Sequence, residues 1–172
     1  RRLVDGDRTT RVRLYVRRHA FTSVSTFELM RAFEDATGEN LDWFFDQWVF
    51  NAGHPKLEVA QLWDEKSKLL MLTIQQTQTL DSLTGVFTLP LDIEVTTSAG
   101  KLVKSIWLRE REEKTAFPLA EKPLMVIVDK GMKVLKSLKF EKSKEENIYQ
   151  LQHADDIAYR ITAANTLKEF SE

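Results

Sequence analysis

The spacing of apolar residues divides this chain into a helical lead, a long run of alternation and a helical tail. The densest apolar stretch is Leu41 to Pro55, where Leu41, Phe44, Phe45 and Trp48 keep the i, i+3, i+4, i+7 spacing of one helical face. Trp43 and Phe50 widen that face, which predicts a helix buried on more than one side. Asn40 is the expected N-cap, and Asp42 suits the positive first turn. Asn51-Ala52-Gly53 supplies the stop, and Pro55 blocks continuation. The apolar period is helical before this stretch and strand-like after it, so it is the expected joint of the molecule.

Upstream, Val12, Tyr15, Val16 and His19 share one helical face, with Arg11, Arg13, Arg17 and Arg18 on its flanks. In a chain of near-neutral charge those arginines read as a solvated face rather than an anion or nucleic-acid patch. The next helix is signalled by a capping box, Ser25 with Glu28, and by a hydrophobic staple of Val24 and Leu29. Phe27, Met30 and Phe33 continue its apolar face, and Gly38 ends it.

From Lys56 the period drops to two. Leu57, Val59 and Trp63 form one strand; Asp64 to Ser67 turns; Leu70, Leu72 and Ile74 form the next. After a loop holding Asp81, Ser82 and Gly85, Leu89, Leu91, Ile93 and Val95 point to one side of a strand spanning 87–97. Pro90 has no N–H for a ladder, which predicts an edge or bulge position for that strand. Ser98-Ala99-Gly100 turns the chain into a strand over 102–109, and further strands are predicted over 115–119, 124–128 and 132–140. Seven short strands joined by hairpin-length turns predict an antiparallel β-sandwich. The fold class is therefore α+β in several parts: helices over 1–53, the sandwich over 54–141, and helices over 142–172.

The tail opens on a second capping box, Ser143 with Glu146, and a short helix through Ile148 and Leu151. Asp155 is the expected cap of the last helix, in which Ile157, Ile161, Ala164 and Leu167 make a narrow stripe. With its alanines and Arg160 this helix resembles the first of a HEAT-like repeat, and one such helix cannot bury its own face.

Composition narrows the function classes. The chain has 172 residues, 42% hydrophobic and 30% charged, and carries a net charge of −1. That balance points to neither nucleic acid nor a membrane surface, and no apolar run approaches the roughly 20 residues of a membrane span. There are no cysteines, which removes disulfides and thiolate metal sites. The chain starts at Arg1 in polar sequence without an initiator Met, which reads as a cut piece or a processed product.

Catalytic constellations are missing. His19, His54 and His153 are widely separated and none begins H-E-x-x-H; G-x-S-x-G, P-loop and G-x-G-x-x-G patterns are absent too. His54 reads as a turn histidine, Asp155-Asp156 as a cap rather than a cation site, and Glu110, Glu112 and Glu113 as solvated loop charge. No catalytic, cofactor-binding or metal-ligating residue is assigned.

The order of these signals resembles a known family. A helix from Tyr15 to His19, the Ser23-Val24-Ser25-Thr26 cap, a helix through Leu29 and the Thr37-Gly38 stop come first. Phe44-Phe45, Trp48-Val49, Gly53 and Pro55 follow, then a strand. This order is similar to the end of the catalytic domain in the aminopeptidase N-like gluzincins, where a β-sandwich and a HEAT-like helical domain come after it. The resemblance implies a zinc aminopeptidase as parent, with peptides as its substrates and the rest of that polypeptide as this chain's partner. The family's zinc ligands, substrate-amine loop and catalytic tyrosine would lie upstream of Arg1, so none is carried over and this chain alone is expected to be inactive. Two other readings stay open: a catalytically dead homologue serving as an interaction scaffold, and an unrelated sandwich-type binding module. The second would need exposed aromatics, for which Trp63 and Trp107 are the candidates, although core or partial burial is the plainer expectation for both.

Overall fold

The structure, a computed structural model, describes residues 8–170. The polar lead of residues 1–7 lies outside them. The chain falls into two compact units, Arg1–Ala52 and Gly53–Glu172. Five α-helices, two sheets and seven strands make up the described residues.

The first unit holds α1 (Arg8–Arg18), α2 (Thr26–Thr37) and α3 (Asp42–Phe45), the last running into a π-helical turn over Asp46–Phe50. Helix α2 starts where its cap predicts: the Glu28 carboxylate accepts from the Ser25 N–H at 2.7 Å and from the Ser25 hydroxyl. It ends at Gly38, whose φ of 69° allows its N–H to donate to Glu34 O at 2.7 Å.

The 41–50 stretch departs from expectation in two ways. Helix α3 begins at Asp42, so Leu41 occupies the N-cap position and Asn40 stands one residue earlier. Asn40 still serves the helix start, since its Oδ1 accepts from the Asp42 N–H at 3.1 Å. After Phe45 the backbone widens to i→i+5 bonding, with Asn51 N–H donating to Asp46 O at 2.9 Å. The wider turn breaks the 3.6 period before Trp48, the last residue of the predicted stripe. Leu41 and Phe45 are buried, Trp43 and Trp48 are half-buried, and Phe44 and Phe50 are exposed.

The second unit carries β1 (Lys56–Asp64), β2 (Leu69–Gln76), β3 (Leu89–Thr97), β4 (Gly100–Leu108), β5 (Glu112–Pro118), β6 (Met125–Val128) and β7 (Ser137–Phe140). One sheet has the order β5-β2-β1-β7 and the other β4-β3-β6. Period-2 alternation is met closely. Leu57, Val59, Leu70, Leu72 and Ile74 are buried in the first sheet, and Leu89, Leu91, Ile93 and Val95 in the second. Lys104 of β4 places its ammonium 5.0 Å from the Phe117 ring centroid of β5, which links the two sheets.

The expectation of an all-antiparallel arrangement fails at one pair: β7 runs parallel to β1, Leu57 opposite Leu138. The stretch 132–136, expected as strand, is instead tied to the preceding turn. Asp129 accepts from the N–H groups of Lys133 and Val134 at 3.1 and 3.2 Å and pairs with Lys136. This loop carries the chain from one sheet to the other, where Ser137 N–H meets Pro55 O at 3.0 Å beside β1.

Strand β3 is also not the edge that Pro90 predicts, because β4 and β6 flank it. The reason is local: β6 pairs only with Ile93 to Thr96, so at Pro90 the strand has β4 alone as neighbour and the missing N–H costs no ladder bond there.

Helices α4 (Lys144–His153) and α5 (Ile157–Lys168) complete this unit. The Ser143–Glu146 box forms in both directions, with Glu146 N–H donating to Ser143 Oγ at 3.2 Å and Ser143 N–H to Glu146 Oε2 at 3.0 Å. The cap of α5 is Asp156, whose Oδ1 accepts from Ala158 N–H at 2.9 Å, and not Asp155. Ala154 and Tyr159 pack with Met125 and Ile127 of β6. The face α5 buries is thus Tyr159 and Ala163, one turn apart. The predicted stripe lies elsewhere on the helix, with Ile157 71% and Ile161 54% exposed.

Candidate functional site

Each residue that sequence chemistry singled out has its own local surroundings. His19 sits between α1 and α2 with its ring 5.5 Å from Tyr15. His54 shares a 3.0 Å hydrogen bond with Ser137 Oγ, and His153 stacks on Tyr149 at 4.2 Å near the end of α4. Among the described residues, no three His, Asp or Glu side chains gather as metal ligands would. Glu112 and Glu113 belong to β5 rather than to a loop, and Glu112 pairs with Lys114 at 2.9 Å. Arg13 and Arg17 are exposed and Arg18 pairs with Asp35, while the Arg11 side chain lies outside the described residues. Trp63 is half-buried and donates to Glu65 at 2.7 Å. Trp107 is exposed, with the Arg109 guanidinium 5.7 Å from its ring.

What the fold does assemble is a chain of charged and polar groups where α4 and α5 meet the β4-β3-β6 sheet. Glu94, on the middle strand, is buried and pairs with Lys130 at 2.5 Å. Lys130 also reaches Asp155 at 3.0 Å, and Asp155 meets Lys101 of β4 at 2.6 Å. The hydrogen bonds from Lys101 and then Lys130 hold the Asp155 carboxyl down at about 2. Burial works against the Lys130 charge, but Glu94 and Asp155 outweigh it, and its pKa is raised.

Tyr159 anchors the same seam. Its hydroxyl donates to Asp129 O at 2.7 Å and accepts from the N–H groups of Gly131 and Met132 at 2.7 and 3.2 Å. Next to it, Gln150 Nε2 donates to Tyr159 O at 2.8 Å. Lys142, just before the α4 cap, donates to Val126 O on β6 and to Gln150 Oε1, both at 2.5 Å.

These groups hold no water-activating or nucleophilic arrangement; their chemistry is that of attachment. Tyr159 fell outside the predicted stripe, and Lys142 and Glu94 carry no local signal, because each finds its partner on a distant strand or turn.

No family model matches the chain. It is 25% identical over 176 residues to transcription initiation factor TFIID subunit 2 of Drosophila melanogaster, an alignment covering 86% of this chain and 14% of that protein. It is 24% identical over 107 residues to the puromycin-sensitive aminopeptidase of Caenorhabditis elegans, covering 59% of this chain and 11% of the enzyme. Its fold matches a crystal structure of Legionella pneumophila aminopeptidase A in complex with aspartic acid. There the TM-score is 0.73 at 17% identity, over 91% of this chain and 18% of that one. The chain is thus similar to aminopeptidase-related proteins and shares a fold with part of an aminopeptidase. It spans less than a fifth of the length of each. None of its described helices is long and apolar enough to cross a membrane.

Proposed function

We propose that this chain is an architectural section of an aminopeptidase-related polypeptide. Residues 1–53 would close a catalytic domain, 54–141 would form its β-sandwich, and 142–172 would begin a HEAT-like helical domain. The observation that carries this reading is the fold match, which spans 91% of this chain but 18% of the aminopeptidase. The exposed apolar surface of the first unit supports it as well. Val12, Val16, Phe21, Phe27, Val49 and Phe50 are all exposed, more than a free helical surface ordinarily carries, and the rest of the polypeptide would cover them.

In this role the sandwich holds the flanking domains at a fixed distance and shapes the cavity that a peptide's N-terminus enters. Zinc and the groups that hold it would belong to the upstream part of the parent, where the metal would supply Lewis-acid chemistry. A second reading has its own support: the match to TFIID subunit 2 covers more of this chain than the match to the aminopeptidase. A polypeptide that keeps this architecture as an interaction scaffold would look the same over these residues.

The test has two arms. The isolated chain, dialysed against trace zinc, should retain no stoichiometric metal and release no chromophore from aminoacyl-anilides over hours. One tightly held zinc per chain, or turnover abolished by a chelator, would overturn the architectural reading. The polypeptide that contains this section should bind one zinc and cleave such substrates if the parent is an enzyme, and do neither if it is a scaffold.

A further inference from the structure

Residues directly opposite one another in an antiparallel pair share one face of the sheet. On β3, Glu94 stands opposite Ile127 and Thr96 opposite Met125 of β6, and both of those partners pack with Ala154 and Tyr159. Glu94 and Thr96 therefore lie on the face that receives the terminal helices, two residues apart on one strand. On the other flank, Val103 and Lys101 of β4 stand opposite the same two residues. Glu94 is 2% and Thr96 5% exposed.

A buried polar group in a folded protein is normally hydrogen-bonded. Glu94 Oε2 meets that rule through the Lys130 ammonium at 2.5 Å. Among the described residues, Glu94 Oε1 and Thr96 Oγ1 are buried and have no hydrogen-bond partner. Two such oxygens at neighbouring positions of one face mark a shared site.

We propose that Glu94 Oε1 and Thr96 Oγ1 bind one ordered water molecule between them, an internal hydration site beside the Lys101–Asp155–Lys130 bridge.

Spacing, hydrogen-bonding capacity and charge all select water. Residues i and i+2 of a strand are roughly 6.6 Å apart at Cα. Two hydrogen bonds through one water place its partners roughly 4.5–5.5 Å apart, a gap that two inward-leaning side chains can present. The Glu94 carboxylate only accepts, whereas the Thr96 hydroxyl both donates and accepts, so the occupant must itself be a donor. A water donates to Glu94 Oε1 and accepts from Thr96. Lys130 stands ready as a third partner, since it has three N–H donors and spends two, on Glu94 and on Asp155. Two to four partners is the usual number for a buried water. The charges decide against an ion. Glu94 and Asp155 balance Lys101 and Lys130, so a further charge would find nothing to offset its loss of hydration. The water satisfies the sheet side of the polar seam, which lets α4 and α5 close over a charged residue of the middle strand.

A crystal structure of the unsubstituted chain reads the site directly. The expected result is a density peak within about 3.2 Å of both oxygens. No peak, a peak on one oxygen alone, or a rotamer that sets Thr96 Oγ1 directly on Glu94 overturns the proposal. In solution, magnetic relaxation dispersion of oxygen-17 counts the waters that tumble with the protein. Thr96→Val has nearly the same shape without the hydroxyl and should hold one such water fewer than the unsubstituted chain. Thr77→Val, at an exposed threonine, should hold the same number. An unchanged count in Thr96→Val, or an equal loss in the Thr77→Val control, refutes the hydration site.

Discussion

The Tyr159 hydroxyl donates to the Asp129 carbonyl at 2.7 Å and accepts from two N–H groups of the same turn, so one side chain of α5 closes the loop between β6 and β7. Asp129 holds a left-handed backbone, φ 63°, a region that Asp enters more readily than most residues with a Cβ. Tyr159→Phe keeps the ring in its cluster and removes the three hydrogen bonds; the Asp129 carbonyl keeps the Met132 N–H at 2.9 Å, while the Gly131 N–H loses this partner. The expected loss is about 1–3 kcal/mol by chemical denaturation. A loss below a few tenths would mean that the turn stands without α5.

Asp155 sets an acid limit to the same seam. Its folded-state pKa of about 2 is depressed by Lys101 and Lys130, so its stabilising contribution is present above the unfolded value near 3.9 and lost as pH falls through about 2. Asp155→Asn should therefore lower the melting temperature at pH 6, with the gap to the parent chain closing between pH 4 and 2. A gap independent of pH would show that the carboxylate's charge does not matter there.

Gly53 is a position only glycine fills. Its φ is 85°, and a Cβ would come within 2.8 Å of Thr84 Cγ2. Gly53→Ala should cost about 1–3 kcal/mol, the typical range for backbone strain. Adding Thr84→Ala should recover the part due to the clash while the strain remains. Full recovery in the double variant would place the whole cost in the contact.

The aromatic stretch separates two residues that look alike in sequence. Phe45 is 2% exposed and Trp48 is half-buried. Phe45→Ala should cost about 3–5 kcal/mol, as large core truncations do, and Trp48→Ala distinctly less. Denaturation midpoints in the reverse order would mean that Trp48, not Phe45, anchors this segment.

Much of the architecture was legible in the residues alone. The two capping boxes, the Gly38 stop and the alternating rows of β1, β2 and β3 all appear where local spacing puts them. Each is decided by neighbours within a turn or along one strand, which is the range over which periodicity carries information. The tertiary structure alone decided the rest. Alternation says which side of a strand is buried but not which strand lies beside it, so the parallel β1–β7 pair and the central place of β3 were not readable. The same holds for the polar seam. Asp155 and Asp156 are adjacent and chemically alike, yet one caps α5 and the other binds two lysines, because only folding brings Lys101 and Lys130 to it. Lys142 carries no local signal, and only folding sets its ammonium against the Val126 carbonyl of β6.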